Sequence, residues 1–244
     1  MIDGLGNVSN LLVVGTANPL GLITADRLIG PRLRHLTLLD TDDISLERAA
    51  IGYQNSGVPG LQAIRYQTDD RGGQLALLTE SFGEPDTDVV ILSPPAPVRP
   101  DPAWSLGDQV ALETTVRGGL LDLPAMASRC IELLAKQRHG VLIYFTHVPK
   151  PLKRGLNPTY CATMAGLDIV LSDLAQPAVE RGIDVISVRL SPEADAGSIL
   201  DPALRHKAMR VSGVAMQVKQ AVVKTRHKAP RVQTISLPKG LRLR

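Results

Sequence analysis

Two stretches of this chain carry residue types and spacings that could do chemistry. The first is Gly15-Thr16-Ala17-Asn18-Pro19-Leu20-Gly21, which follows the apolar run Leu11-Leu12-Val13-Val14 and precedes an amphipathic pattern of Leu22, Ile23, Ala25 and Leu28. A strand, a glycine-bearing turn and a helix in that order can lay a pyrophosphate on backbone N–H groups at the helix N-terminus. The candidate contacts there are Gly15, Asn18, Leu20 and Gly21, with Pro19 removing one N–H donor from the turn. Asp40 closes the next apolar run 19 residues beyond Gly21. An acid at that place can accept hydrogen bonds from the ribose hydroxyls of adenosine and repel a 2′-phosphate, which favours NAD over NADP. A plain strand-to-helix turn uses the same residues, and Asp40 stands beside Thr41, Asp42 and Asp43, all suited to helix capping. The second stretch holds Thr146 and His147 at the end of an apolar run and Tyr160 thirteen residues after His147. A histidine titrates near neutral pH and can act as a general acid, while an ordinary strand-end histidine bonded to backbone is the simpler account of it.

The elements that must position these residues alternate between strand and helix patterns from end to end, the mark of βαβ units and a parallel sheet. Strands are expected near 10–15, 35–40, 62–67, 88–93, 140–146, 183–190 and 231–237, and helices near 20–29, 43–54, 73–82, 109–137, 159–181 and 207–226. Continuous apolar runs indicate strands buried on both faces. The five prolines of Ser93–Pro102 forbid a helix or an inner strand, so this stretch is a loop. The fold class is therefore α/β, a Rossmann-type doubly wound parallel sheet of about seven strands. With 244 residues, 44% of them hydrophobic, and a mean hydropathy of +0.05, the chain can form one such domain over 1–244.

Two cysteines, Cys130 and Cys161, lack metal-like spacing, so no metal is expected and a reducing, cytoplasmic setting is. The start shows no basic leader, and no run approaches the length of a membrane span. Residues 205–244 hold 11 Lys/Arg and no acid, leaving 16 Lys/Arg against all 24 Asp/Glu in the rest. No aromatic residue lies in that basic end to stack on bases, so no specific nucleic-acid contact is expected. An anionic membrane surface suits it better, placing the protein peripheral to the inner face of a membrane. A solvated tail would look the same.

Tyr160-Cys161-Ala162-Thr163-Met164-Ala165-Gly166-Leu167-Asp168, placed after the run Val141–Phe145, resembles the active-site helix of the short-chain dehydrogenase/reductase family. The resemblance extends over nearly all of residues 8–237. It implies a nicotinamide cofactor and a set of Asn, Ser, Tyr and Lys acting together, of which Tyr160 alone is unaltered here. Met164 stands for the lysine, His147 for the serine with Thr146 beside it, and no asparagine occurs between Asn55 and Asn157. The family's turn after the fourth strand becomes Leu92-Ser93-Pro94-Pro95, which leaves Ser93 as the candidate cofactor contact. Its Arg-Pro-Gly after the sixth strand becomes Arg189-Leu190-Ser191. Asp69, or else Asp70, resembles the family's adenine-contacting acid.

Within the family, Asp3-Gly4-Leu5-Gly6-Asn7, the Tyr160–Asp168 segment and the basic C-terminus are similar to the decaprenylphosphoryl keto-pentose reductases of actinobacteria. That resemblance implies a keto-sugar or polyprenyl-linked keto-sugar substrate reduced with a nicotinamide cofactor, for which Asp40 favours NAD as hydride source. One expectation is an atypical or impaired oxidoreductase with Tyr160, His147 and Thr146 as catalytic residues. The other is a non-catalytic protein of this fold, a homo-oligomer or a binding or assembly partner of an active reductase.

Overall fold

The structure, a computed structural model, describes residues 2, 7–82, 86–95, 112–147, 158–190, 205–225 and 229–236. Its centre is a sheet of seven parallel strands in the order β3-β2-β1-β4-β5-β6-β7. These are β1 (Asn10–Val14), β2 (His35–Asp40), β3 (Leu61–Arg65), β4 (Val89–Leu92), β5 (Val141–His147), β6 (Asp184–Leu190) and β7 (Val232–Ser236). Each follows its expected run, β2 at both ends and the others with ends shifted by no more than two residues. β3 stops before Tyr66, whose N–H instead donates to the Asp40 carbonyl at 3.0 Å.

Alternation along β1 and β4 explains the continuous apolar runs Leu11–Val14 and Val89–Leu92. Leu11 and Val13 of β1 join one core layer while Leu12 and Val14 join the other, and β4 divides Val89 and Ile91 from Val90 and Leu92 in the same way. Successive side chains of a strand point to opposite faces, so helices must cover both. One face is packed by α1 (Pro19–Leu28), α2 (Asp43–Asn55) and, at the end of the chain, α6 (Arg205–Thr225). The other is packed by α3 (Arg71–Ser81), α4 (Leu123–Gln137) and α5 (Pro158–Glu180). The β3 edge strand keeps its middle exposed.

Capping settles several polar residues near the helix starts. Asp42 caps α2 by accepting from Ser45 N–H at 3.1 Å, and the Ser45 side chain first, with this backbone bond behind it, holds the carboxyl below the usual range against the opposing effect of burial. Asp70 caps α3 by accepting from Gly73 N–H at 2.8 Å, and Asp69 is exposed in the preceding turn. The long helix expected over 109–137 differs in its middle. Residues 112–116 are α-helical, Arg117–Asp122 form a π-helical segment, and α4 follows. Gly118 and Gly119 loosen that segment, and Pro124, just inside α4, has no N–H for the carbonyl four residues back. Of the proline-rich stretch Ser93–Pro102, residues 93–95 are irregular and the remainder lies outside the described residues, as does most of the basic end beyond α6. Among the described residues no helix is long and apolar enough to cross a membrane.

Candidate functional site

Strand order reverses between β1 and β4, so the crevice at their carboxyl ends is where an open α/β sheet binds its ligand. The turn from β1 to α1 forms one wall of it. Gly15 takes φ +88°, a conformation that favours glycine, and donates its N–H to the Leu39 carbonyl at 2.8 Å. A Cβ at Gly15 would press into the Ser93 backbone, and one at Gly21 would overlap the Ser93 hydroxyl. Ser93, 2% exposed, thus fills the space that the two glycines leave.

Asp40 sits differently from the ribose acceptor expected of it. It is 4% exposed and turned into the β1–α1 turn. Its Oδ2 accepts from Thr16 N–H, from the Thr16 hydroxyl at 2.7 Å and from Ala17 N–H at 2.8 Å. Its Oδ1 accepts from Thr41 N–H at 2.6 Å and Asp42 N–H at 3.1 Å. A carboxylate offers about four acceptor positions, so both oxygens are taken. Leu20 differs too, because its N–H is held at 3.1 Å by Oδ1 of Asn18, the N-cap of α1. Pro19 occupies the first helical turn, where a missing N–H leaves no intrahelical bond unmade. The backbone donors of this turn therefore do not fit a pyrophosphate. Among the described residues Asn18 Nδ2 and Ser93 Oγ have no hydrogen-bond partner, but both are sealed beneath the surface.

Beside Asp40, Tyr66 meets a patch that sequence reasoning missed. Burial and the charges of Asp40 and Asp122 push its phenol above the ordinary value. Asp122, the last residue of the π segment, is raised by burial against opposing pulls from the Gln74 side chain, Arg117 and Arg71. No spacing signal links Tyr66, Gln74 and Asp122, which come from three separate elements.

The second candidate set is brought together only in part. Tyr160 opens α5 but is 0% exposed, within the apolar layer that includes Val14, Leu92, Met126 and Leu167, and Met164 is 0% exposed in the same layer. Gly119 of the π segment presses against this point, since a Cβ there would stand 3.3 Å from Met164 Cε. Thr146, expected to hold a substrate carbonyl, is also 0% exposed and donates its hydroxyl to Asp168 Oδ1 at 2.6 Å. The same oxygen accepts from Arg189 Nε at 2.9 Å, and Arg189 Nη2 donates to Ser172 Oγ at 2.8 Å. Tyr144 lies against Ser172 and Ser187, and burial raises its phenol despite those contacts. Thr146 near the end of β5, Asp168 in the middle of α5 and Arg189 near the end of β6 thus tie the three elements together, a role that no local sequence pattern signals. The backbone of His147 ends β5 opposite Leu190, and its side chain lies outside the described residues. Among the described residues no cluster of three or more His, Cys, Asp or Glu could hold a metal ion.

No family model matches the chain. An uncharacterized oxidoreductase in the mprA 5′ region of Streptomyces coelicolor is 28% identical over 246 residues, spanning 99% of this chain and 92% of that protein. Among solved structures, a short chain dehydrogenase from Mycobacterium smegmatis superposes with a TM-score of 0.69 at 17% identity, over 98% of this chain and 95% of that one. A short-chain type dehydrogenase/reductase from Mycobacterium marinum gives 0.63 at 13% identity over 76% of each chain. With its strand order, its crossover helices and the placement of its β1–α1 turn, the chain has the fold of the short-chain dehydrogenases/reductases.

Proposed function

We propose that this chain is a short-chain dehydrogenase/reductase-type oxidoreductase whose carbonyl–alcohol chemistry is impaired. The observation that carries the reading is the Tyr160–Met164 pair, both 0% exposed in one apolar layer. A tyrosine gives or takes a proton at neutral pH only with help, since unassisted it titrates near 10. An adjacent cation supplies such help by favouring the phenolate, and methionine brings none. Thr146, with its hydroxyl on Asp168, does not compensate. The oxidoreductase named in Streptomyces coelicolor supports the lineage. Keto-sugars and polyprenyl-linked keto-sugars are the substrates to try first, on the resemblance of the Tyr160–Asp168 segment.

The test is NADH and NADPH oxidation against simple ketones and keto-sugars, wild type beside Tyr160→Phe. The expected result is turnover at background for both. Brisk wild-type turnover abolished by Tyr160→Phe would overturn the reading.

A second reading, a non-catalytic assembly partner of an active reductase, is favoured by apolar side chains left in solvent. Leu121 on the π segment is 53% exposed and Ile169 on α5 is 69% exposed. Co-purification with an active reductase would support it.

A further inference from the structure

We propose that Asp40 serves the β1–α1 turn as a built-in anion, closing to a dinucleotide the backbone donors that this fold ordinarily offers one. The inference rests on the impaired-chemistry reading and extends it from the catalytic helix to the nucleotide crevice.

Most N–H groups from Gly15 to Gly21 are already engaged within the chain. Gly15 gives its proton to the Leu39 carbonyl. Thr16 and Ala17 give theirs to Asp40 Oδ2. Pro19 has none, and Leu20 is held by Asn18 Oδ1. Asn18 and Gly21 are what remains for a pyrophosphate, and a helix N-terminus binds anions through several converging N–H groups, not through two separated ones. An incoming diphosphate would also bring negative charge against Asp40 itself, and like charges in contact oppose one another.

The glycines point the same way. A pyrophosphate turn uses glycine so that a ligand can approach the backbone, but here the space beside Gly15 and Gly21 is taken by Ser93. Asn18 Nδ2 and Ser93 Oγ, which find no partner among the described residues, do not invite a ligand either. Asn18 is 0% and Ser93 2% exposed, so a molecule in the crevice touches neither unless the turn itself moves. The turn is therefore organised by the chain's own carboxylate and keeps its shape with no nucleotide bound.

Two measurements on the full chain test this. In the first, calorimetry and thermal denaturation are run with NAD+, NADH, NADP+ and NADPH, each at about 1 mM, a concentration that would raise Tm measurably for any micromolar ligand. The expected result is no saturable heat and an unchanged Tm, and saturable binding with a raised Tm overturns the proposal. In the second, amide exchange is followed in the nucleotide-free protein. The Thr16 and Ala17 amides are expected to be protected by about 100-fold or more over an unstructured chain, and to lose that protection in Asp40→Ala, which leaves no side-chain acceptor. Fast exchange at Thr16 and Ala17 in the wild type overturns the proposal, and so does protection that survives Asp40→Ala. If Asp40→Ala does not fold, the wild-type exchange and the nucleotide titrations decide. Tight NADH binding without turnover would sink this inference and leave the impaired-chemistry reading standing, whereas carbonyl turnover dependent on Tyr160 would sink that reading.

Discussion

Restoring the missing lysine tests how completely the catalytic helix has become core. Met164→Lys exchanges a side chain of 0% exposure for an ammonium in an apolar layer. Removing the buried methionine forfeits about 1.5–3 kcal/mol of burial, partly recovered by the lysine stem. The charge costs more. An ammonium that stays protonated without a partner faces an effective penalty of several kcal/mol, and escape by deprotonation at pH 7, from an ordinary pKa near 10.4, costs about 4–5 kcal/mol. The acid one turn along the helix, Asp168, already holds Thr146 and Arg189. The expected loss at pH 7 is therefore about 3–5 kcal/mol, a large part of the roughly 5–15 kcal/mol that stabilises a domain. The sign of the pH dependence follows from linkage. Burial depresses the folded-state pKa of the new amine below its unfolded value, so the unfolded chain binds the extra proton and the deficit shrinks as pH rises. The charge part should narrow by at most about 1.4 kcal/mol per unit and be gone near the unfolded pKa, leaving the packing loss behind. Urea denaturation of wild type, Met164→Lys and Met164→Leu at pH 7, 8.5 and 10 measures it, and NADH oxidation alongside should stay at background. A variant within about 1 kcal/mol of wild type at pH 7, with no pH slope, would refute the sealed layer around Tyr160.

Asp168→Asn removes the charged acceptor that joins Thr146 to Arg189 and should cost about 1.5–3 kcal/mol in urea denaturation, toward the lower figure because the Arg189 side chain is 34% exposed. A double-mutant cycle with Arg189→Met should show coupling, and strict additivity would count against the shared oxygen. Asp184, at the start of β6, has its carboxyl raised to about 6, chiefly by burial and in spite of a hydrogen bond from Arg231 N–H. Its protonated form is the one the fold favours, so its contribution is fully present below about pH 3.8 and is lost as pH rises through about 6. Asp184→Asn should therefore raise Tm at pH 8 and leave it unchanged near pH 3.5, and equal shifts at both would contradict the assignment.

The scaffold was readable because it depends on patterns that need no partner. Leu11–Val14 and Val89–Leu92 are continuous apolar runs since both sheet faces are covered, and the glycine-bearing turn after β1 marks where the first strand passes into the first helix. The site was less readable because its residues change role with what they face. An acid at the end of β2 suits a ribose or a loop equally, and only the turning of Asp40 toward Thr16 and Ala17 separates the two. Tyr160 and Met164 are helical residues with the same spacing whether they face a crevice or a core layer. The Thr146–Asp168–Arg189 knot joins residues 21 and 22 positions apart, beyond any local periodicity. The π segment was hidden because Gly118, Gly119 and Pro124 weaken a helix without ending it.

The pairing of the first helix with the last has a consequence for synthesis. Leu20, Ala25 and Leu28 of α1 share their core layer with Val214, Val218, Ala221 and Val222 of α6. At ribosomal rates of about 5–20 residues per second, α6 follows α1 by roughly 10–40 s. Through that interval the nascent chain carries an apolar helix face whose proper cover does not yet exist. Chains that stop before α6 keep it uncovered, and they are the species that chaperones and proteases would meet.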